Sequence, residues 1–123
     1  MAGSVTFGLD TAVNVEQEYV VALHGDIDLY CAPELKSEFA RLIAQGATRI
    51  VVDLSEATFI DSTTLGVLLG TVKRLRPVEG EVAIVCTDRN IRKIFEITLL
   101  DRVFPLFESR EAAVDAGPRS AAR

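Results

Sequence analysis

Two short runs with almost no polar interruption, Arg49-Ile50-Val51-Val52-Asp53-Leu54 and Glu81-Val82-Ala83-Ile84-Val85-Cys86, constrain this chain more than any other feature. Apolar runs of strand length belong to strands covered on both faces, which is the condition of strands in a parallel sheet. Parallel strands cannot be joined by a tight turn, so the chain between them has to cross over, normally as a helix with a right-handed connection. The stretch between the two runs supplies that helix. From Leu65 the apolar residues fall at Leu65, Leu68, Leu69, Val72 and Leu75, the three-and-four spacing of one helical side, and Pro77 with Gly80 ends the pattern.

The remaining segments extend the same alternation. Val5 to Val13 places Val5, Phe7 and Leu9 on one face, Asn14 to Gln17 is a polar turn, and Tyr19-Val20-Val21-Ala22-Leu23 is a dense strand, so the fold opens on a hairpin. Gly25-Asp26-Ile27-Asp28 breaks that strand and leads to Pro33, a residue favoured in a first helical turn. The helix that follows carries Leu35, Phe39, Leu42 and Ile43 on one side and stops at Gly46, which can adopt the left-handed conformation past a helix end. Beyond the second apolar run, Ile91, Ile94 and Phe95 predict a short helix over 90–96. A last strand is expected near Val103 to Leu106 and a small helix over 108–116. Residues 117–123 have no apolar anchor and are expected to form a mobile tail after a single domain over 1–116. The fold class is α/β, with a mainly parallel sheet.

Composition narrows the function. The chain has 123 residues, 49% hydrophobic and 25% charged, enough for one domain with an ordinary core. A net charge of -5 argues against nucleic acid or an anionic membrane as partner and in favour of a protein. No apolar run approaches the roughly 18–20 residues that span a bilayer, and M-A-G-S-V-T-F lacks the blocks of a signal peptide, so a cytosolic setting is expected. Cys31 and Cys86 are too few and too separated for a disulfide framework or a zinc site and read as buried reduced thiols. His24 is the only histidine and has no visible orienting partner, which suits a surface or half-buried imidazole rather than a catalytic base. No G-x-S-x-G elbow, phosphate loop or G-x-G-x-x-G turn is present, and Asp61, with an ordinary pKa of about 4, is a weak base toward a serine hydroxyl. Neither catalysis nor a metal or cofactor is expected.

The polar turn before the central helix, Asp61-Ser62-Thr63-Thr64, carries the chemistry. Either Asp61 or Ser62 can cap the helix. With Asp61 as cap, its carboxylate accepts from the N–H of Thr63 or Thr64, Ile60 and Leu65 form a hydrophobic staple, and the Ser62 hydroxyl is left free at the positive end of the helix dipole. Phosphorylating that hydroxyl adds about -1.5 to -2 charges at pH 7, which the helix start tolerates and a fitted partner surface does not. Gly66 and Gly70 stand one turn apart on the same flank, each costing about 1 kcal/mol against alanine inside a helix. The smooth strip they make admits either another protein or a neighbouring element of this domain.

The run F-I-D-S-T-T-L-G-V-L-L-G, following V-V-D-L and the upstream G-D-I-D, resembles the phosphoacceptor region of bacterial anti-sigma factor antagonists, small proteins of the STAS class. The likeness extends from about Val5 to Val114 and includes G-E-V-A-I-V-C and I-R-K-I-F-E-I-T-L-L-D-R-V-F. It implies a four- or five-stranded, mostly parallel sheet with helices mainly on one side. It implies that the unphosphorylated chain binds an anti-sigma factor that is also a GHKL-type serine kinase, freeing a sigma factor. Phosphorylation at Ser62, with Thr63 as the fallback acceptor, ends the binding, and a PP2C-like phosphatase restores it. The partner-binding face then comprises Asp26, Asp28, Tyr30, Asp61, Ser62, Thr63, Thr64, Gly66, Val67 and Gly70. One position departs from the family pattern: Thr64 stands where glycine is usual, and its β-branched side chain is expected to add bulk beside the acceptor. A constitutive scaffold that is never phosphorylated is the alternative reading.

Overall fold

A computed structural model describes residues 7–15 and 17–118. Val5 and the tail beyond Pro118 lie outside the described residues. Five strands form one sheet in chain order: β1 (Phe7–Val15), β2 (Glu18–Ile27), β3 (Arg49–Ile60), β4 (Glu81–Val85) and β5 (Leu106–Phe107). The first two make the expected antiparallel hairpin, with Leu9 opposite Leu23, and the other pairings are parallel. Four helices complete the order: α1 (Ala32–Ala44) after β2, α2 (Ser62–Leu75) after β3, α3 (Arg89–Ile97) after β4 and α4 (Arg110–Ala116) after β5. Gly46 lies just past α1 at φ 91°, as its place in the sequence predicts.

The apolar runs are buried on both faces because helices cover both. Ile50 and Val52 of β3, with Val82 and Ile84 of β4, face α1, α2 and α3 through Leu35, Phe39, Leu68 and Phe95. Their neighbours Val51, Ala83 and Val85 point the other way and pack with Ala113 of α4 and with Phe107. Each fully buried Leu, Ile, Val or Phe contributes about 1.5–3 kcal/mol of transfer free energy, so the larger core on the three-helix face dominates stability.

Four segments differ from the sequence-based expectation. β3 continues to Ile60 rather than ending at Leu54: Ser55 and Thr58 fall at two register shifts, and β2 goes on pairing with Glu56, Ala57, Phe59 and Ile60. Gly25-Asp26 bends β2 instead of breaking it: Gly25 sits at φ 84° and the register with β3 shifts between these two residues. The last strand is Leu106–Phe107, not 103–106, since residues 100–102 form a 3-10 turn and Phe104 dives into the main core to meet Phe95 edge-on at 5.8 Å. The closing helix begins at Arg110, where the Ser109 hydroxyl caps it by accepting from the Ala112 N–H at 3.0 Å.

Helix α4 has seven residues, fewer than an isolated helix needs to persist, and it is tied to the sheet at two points. Arg110 Nε and Nη2 donate to Asp53 Oδ2 at 3.0 and 2.9 Å. At its middle the Ala113 carbonyl, one of the last four of the helix, accepts from Arg49 Nη1 at 2.8 Å, a cation on the C-terminal side of the helix. Arg49 is 1% exposed and also donates from Nε to Glu81 at 2.9 Å and from Nη1 to Glu18 at 3.2 Å, while its Nη2 finds no partner among the described residues.

Burial alone raises the Asp53 carboxyl pKa, but hydrogen bonds from the Ser55 hydroxyl and N–H and from Arg110 outweigh it, so the net shift is downward. A carboxyl held below its unfolded value of about 3.9 contributes stability that is present above that pH and is lost as pH falls through the folded value. Arg110→Ala is therefore expected to lower stability at neutral pH and to flatten the acid limb below about pH 4. Urea unfolding from pH 7 to pH 3 checks it, and an acid limb as steep as wild type would refute the assignment.

Candidate functional site

Strands β2 and β3 run on past the end of β4 and finish together at one end of the sheet, and the acidic loop and the acceptor turn singled out from the sequence meet there. Ile27 pairs with Ile60 at the last register position, so the loop after β2 and the start of α2 are neighbours. Asp61 is the helix cap: its backbone is extended, and Oδ1 accepts from the Thr64 N–H at 3.0 Å. Ile60 and Leu65 are both buried on either side of it, completing the staple. Ser62 is the first helical residue and is exposed, as is Thr63. The Ser62 hydroxyl has no hydrogen-bond partner among the described residues.

Thr64 corrects the expectation of bulk beside the acceptor. Its side chain is 0% exposed and turned inward. Its hydroxyl lies 3.0 Å from the Ile27 carbonyl oxygen and 3.2 Å from Asp61 Oδ1, with one proton to donate between them. The β-branched residue thus ties α2 to the end of β2 and leaves the surroundings of Ser62 open. Because Asp61 holds both the Thr64 N–H and, at times, its hydroxyl, Asp61→Ala should cost about 1–2 kcal/mol, at or above an ordinary N-cap. Unchanged urea unfolding of that variant would show that α2 does not depend on the cap.

The loop after β2 is held by its own carboxylates. Asp26 accepts from the Thr58 hydroxyl of β3. Asp28 accepts from the Tyr30 N–H at 3.0 Å and receives the Cys31 thiol at 3.6 Å, which closes the turn into α1. Asp26, Asp28 and Asp61 therefore sit at the same end of the sheet as Ser62. Cys31 and Cys86 are free and buried. Burial pushes both thiols up, Cys86 to about 11, so neither is a ready nucleophile at neutral pH. His24 does have an orienting partner, Asp10 on β1, with Nε2 3.1 Å from Oδ2; it is on the hairpin and does not bond to Ser62.

Two residues at this edge escaped the sequence reading. Phe59 is 49% exposed and Leu29 53%, beside Tyr30 at 83%. Strict alternation would put Phe59 on the face of buried Ala57, but β3 carries an extra residue at the register shift, so Thr58 and Phe59 both reach solvent. Farther along α2, the remaining candidates face a groove of about 290 Å³ against α1, lined by Thr63, Gly66, Val67 and Gly70 together with Lys36 and Arg74. A Cβ added at Gly66 or Gly70 would meet nothing within 4 Å, so no neighbouring element of this domain uses the space. Among the described residues no helix is long and apolar enough to cross a membrane, and no group of three or more His, Cys, Asp or Glu is placed to hold a metal.

The sheet order follows the chain order, with a hairpin at one edge and a capped helix presenting D-S-T, and the STAS domain family model matches residues 10–113 of this chain. The chain belongs to the STAS domain family. Among its relatives, BtrV of Bordetella bronchiseptica, a candidate anti-sigma factor antagonist, is 33% identical over 106 residues, covering 86% of this chain and 91% of that one. The anti-sigma-B factor antagonist of Staphylococcus aureus is 33% identical over 93 residues, 76% of this chain and 86% of that one. Among solved structures, the anti-sigma factor antagonist SpoIIAA in its unphosphorylated form superimposes with a TM-score of 0.74 at 22% identity, over 89% of this chain and 96% of that one. The phosphorylated form of Bacillus SpoIIAA gives 0.72 at 24% identity, over 89% and 98%. Of the four or five strands expected for a mostly parallel STAS sheet with helices mainly on one side, the structure has five.

Proposed function

We propose that this STAS domain is an anti-sigma factor antagonist. In the unphosphorylated state it binds an anti-sigma factor that is also a GHKL-type serine kinase, and the sigma factor held by that protein is freed. The kinase then transfers phosphate from its own ATP and magnesium to Ser62, with Thr63 as fallback, and binding ends; a PP2C-like phosphatase removes the phosphate. The setting is the cytosol.

The observation that carries this reading is Ser62 itself: an exposed hydroxyl, spent on no internal hydrogen bond, at the first position of a helix whose capping is done by its neighbour Asp61. Phosphate is stable at a helix start, so the fold survives the modification. Its roughly two negative charges are added beside Asp61 and at the sheet edge that carries Asp26 and Asp28, which makes the surface hostile to a partner fitted to the free alcohol. The names of the two relatives and the existence of SpoIIAA in both phosphorylation states support the same reading. The alternative of a constitutive scaffold draws on Thr64 and on the acidic surface; Thr64 is turned inward and does not crowd the acceptor, which leaves the acidic surface as its support.

Incubation with each anti-sigma kinase of the source genome and ATP, followed by mass spectrometry, tests the proposal. Phosphate is expected on Ser62. Absence of modification at both Ser62 and Thr63 with a kinase that binds the protein would leave the scaffold reading standing.

A further inference from the structure

The groove between α1 and α2 is basic in an acidic protein. Lys36 enters it from α1 and Arg74 from α2, and neither makes an ion pair among the described residues, although the whole chain carries a net charge of -5. Neither carboxylate of α1, Glu34 or Glu38, lines the groove, and Glu38 accepts from Arg41 through both oxygens and from the Thr11 hydroxyl of β1. Between the two cations the floor is low, because Gly66 and Gly70 leave open space where side chains would stand. The groove is continuous with the acceptor site through Thr63, which lines it and adjoins Ser62.

We infer that this groove receives an acidic segment of the anti-sigma factor, with carboxylates paired to Lys36 and Arg74 and its chain seated close over Gly66 and Gly70. The inference rests on the function proposed above and adds the chemistry of the partner. Opposite charge across an interface steers encounter and fixes register, and its contribution falls as salt rises. It also gives the switch a direct physical cause. A phosphate on Ser62 places like charge next to a groove occupied by carboxylates, so release needs no change of shape.

The test uses the anti-sigma factor of the source genome that binds the full chain in calorimetry, comparing wild type with Lys36→Glu/Arg74→Glu and with Gly66→Ala/Gly70→Ala. The charge-reversed variant is expected to bind about tenfold or more weakly, and to lose the affinity change that wild type shows between low salt and about 0.3 M salt. The glycine variant separates docking from folding. Alanine relieves a helix at positions with free space, so its melting temperature should rise by about 2–4 °C per site while its affinity drops. Charge-reversed protein that binds within twofold of wild type, or an alanine variant with undiminished affinity, overturns the groove assignment and leaves the proposed function intact. Wild type that binds no anti-sigma factor at any salt concentration overturns the proposed function and this inference with it. Self-association that disappears on charge reversal assigns the groove to a second copy and likewise overturns it.

Discussion

Arg49→Met is expected to lower the unfolding free energy by about 3–5 kcal/mol, the usual cost of removing one member of a buried charged cluster. The guanidinium is the common partner of Glu18, Glu81 and the Ala113 carbonyl, and all three of these residues are buried. Methionine fills similar volume but leaves Glu18 and Glu81 without that cation and α4 without its second tether. Desolvated carboxylates are expensive to leave uncompensated, whereas an apolar replacement of a whole cluster can be neutral or favourable. Two results therefore belong together. The single variant should unfold at much lower urea, and the triple replacement Arg49→Met/Glu18→Leu/Glu81→Leu should recover much of the loss. A single variant within about 1 kcal/mol of wild type would mean that the cluster is relaxed in solution.

The second large effect concerns binding. Ser62→Asp should weaken the complex with the anti-sigma factor by tens-fold to thousands-fold, the range given by about 2–5 kcal/mol for a charge left unpaired and desolvated in an interface. Aspartate carries less charge than a phosphate, so the lower part of that range is expected for the variant and the upper part for the phosphorylated protein. Ser62→Ala should bind within a few-fold of wild type and accept no phosphate there. Ser62 faces solvent at the first helical turn, so none of these changes should move stability by more than about 0.5 kcal/mol, which separates lost binding from lost fold. Equal affinity of wild type, Ser62→Ala and Ser62→Asp would end the idea of a switch at this residue.

Much of this was legible in the residues, and the reasons are specific. Ile50–Val52 and Val82–Val85 announce a parallel sheet because burial on both faces removes polar residues from alternate positions. The leucines of α2 do the same for a helix with one buried side. The extent of β3 was not legible, since Ser55, Glu56 and Thr58 look like a loop when the continued pairing with β2 is unseen. Phe59 was missed for the related reason that an inserted residue resets the two-residue period. Thr64 was read in the wrong direction: its place beside the acceptor in the chain says nothing about which side of the helix it occupies, and its hydroxyl is satisfied by Ile27, far away in sequence. Arg49 gave no warning at all. Heading an apolar run, it looks like a polar residue at a strand entrance, and the two glutamates that retain it come from strands on either side.

The bond from Thr64 to Ile27 has one more consequence. It ties the acceptor turn to the strand that leads into the aspartate loop, so the charge of a modification at Ser62 is added next to an anchored junction. Whatever a phosphate says here is said at the spot where it is attached, in the language of ionisation. Because its second proton dissociates with a pKa of about 6, mild acidification would soften the message, and the same esterified protein would regain part of its grip on the neighbour without ever being dephosphorylated.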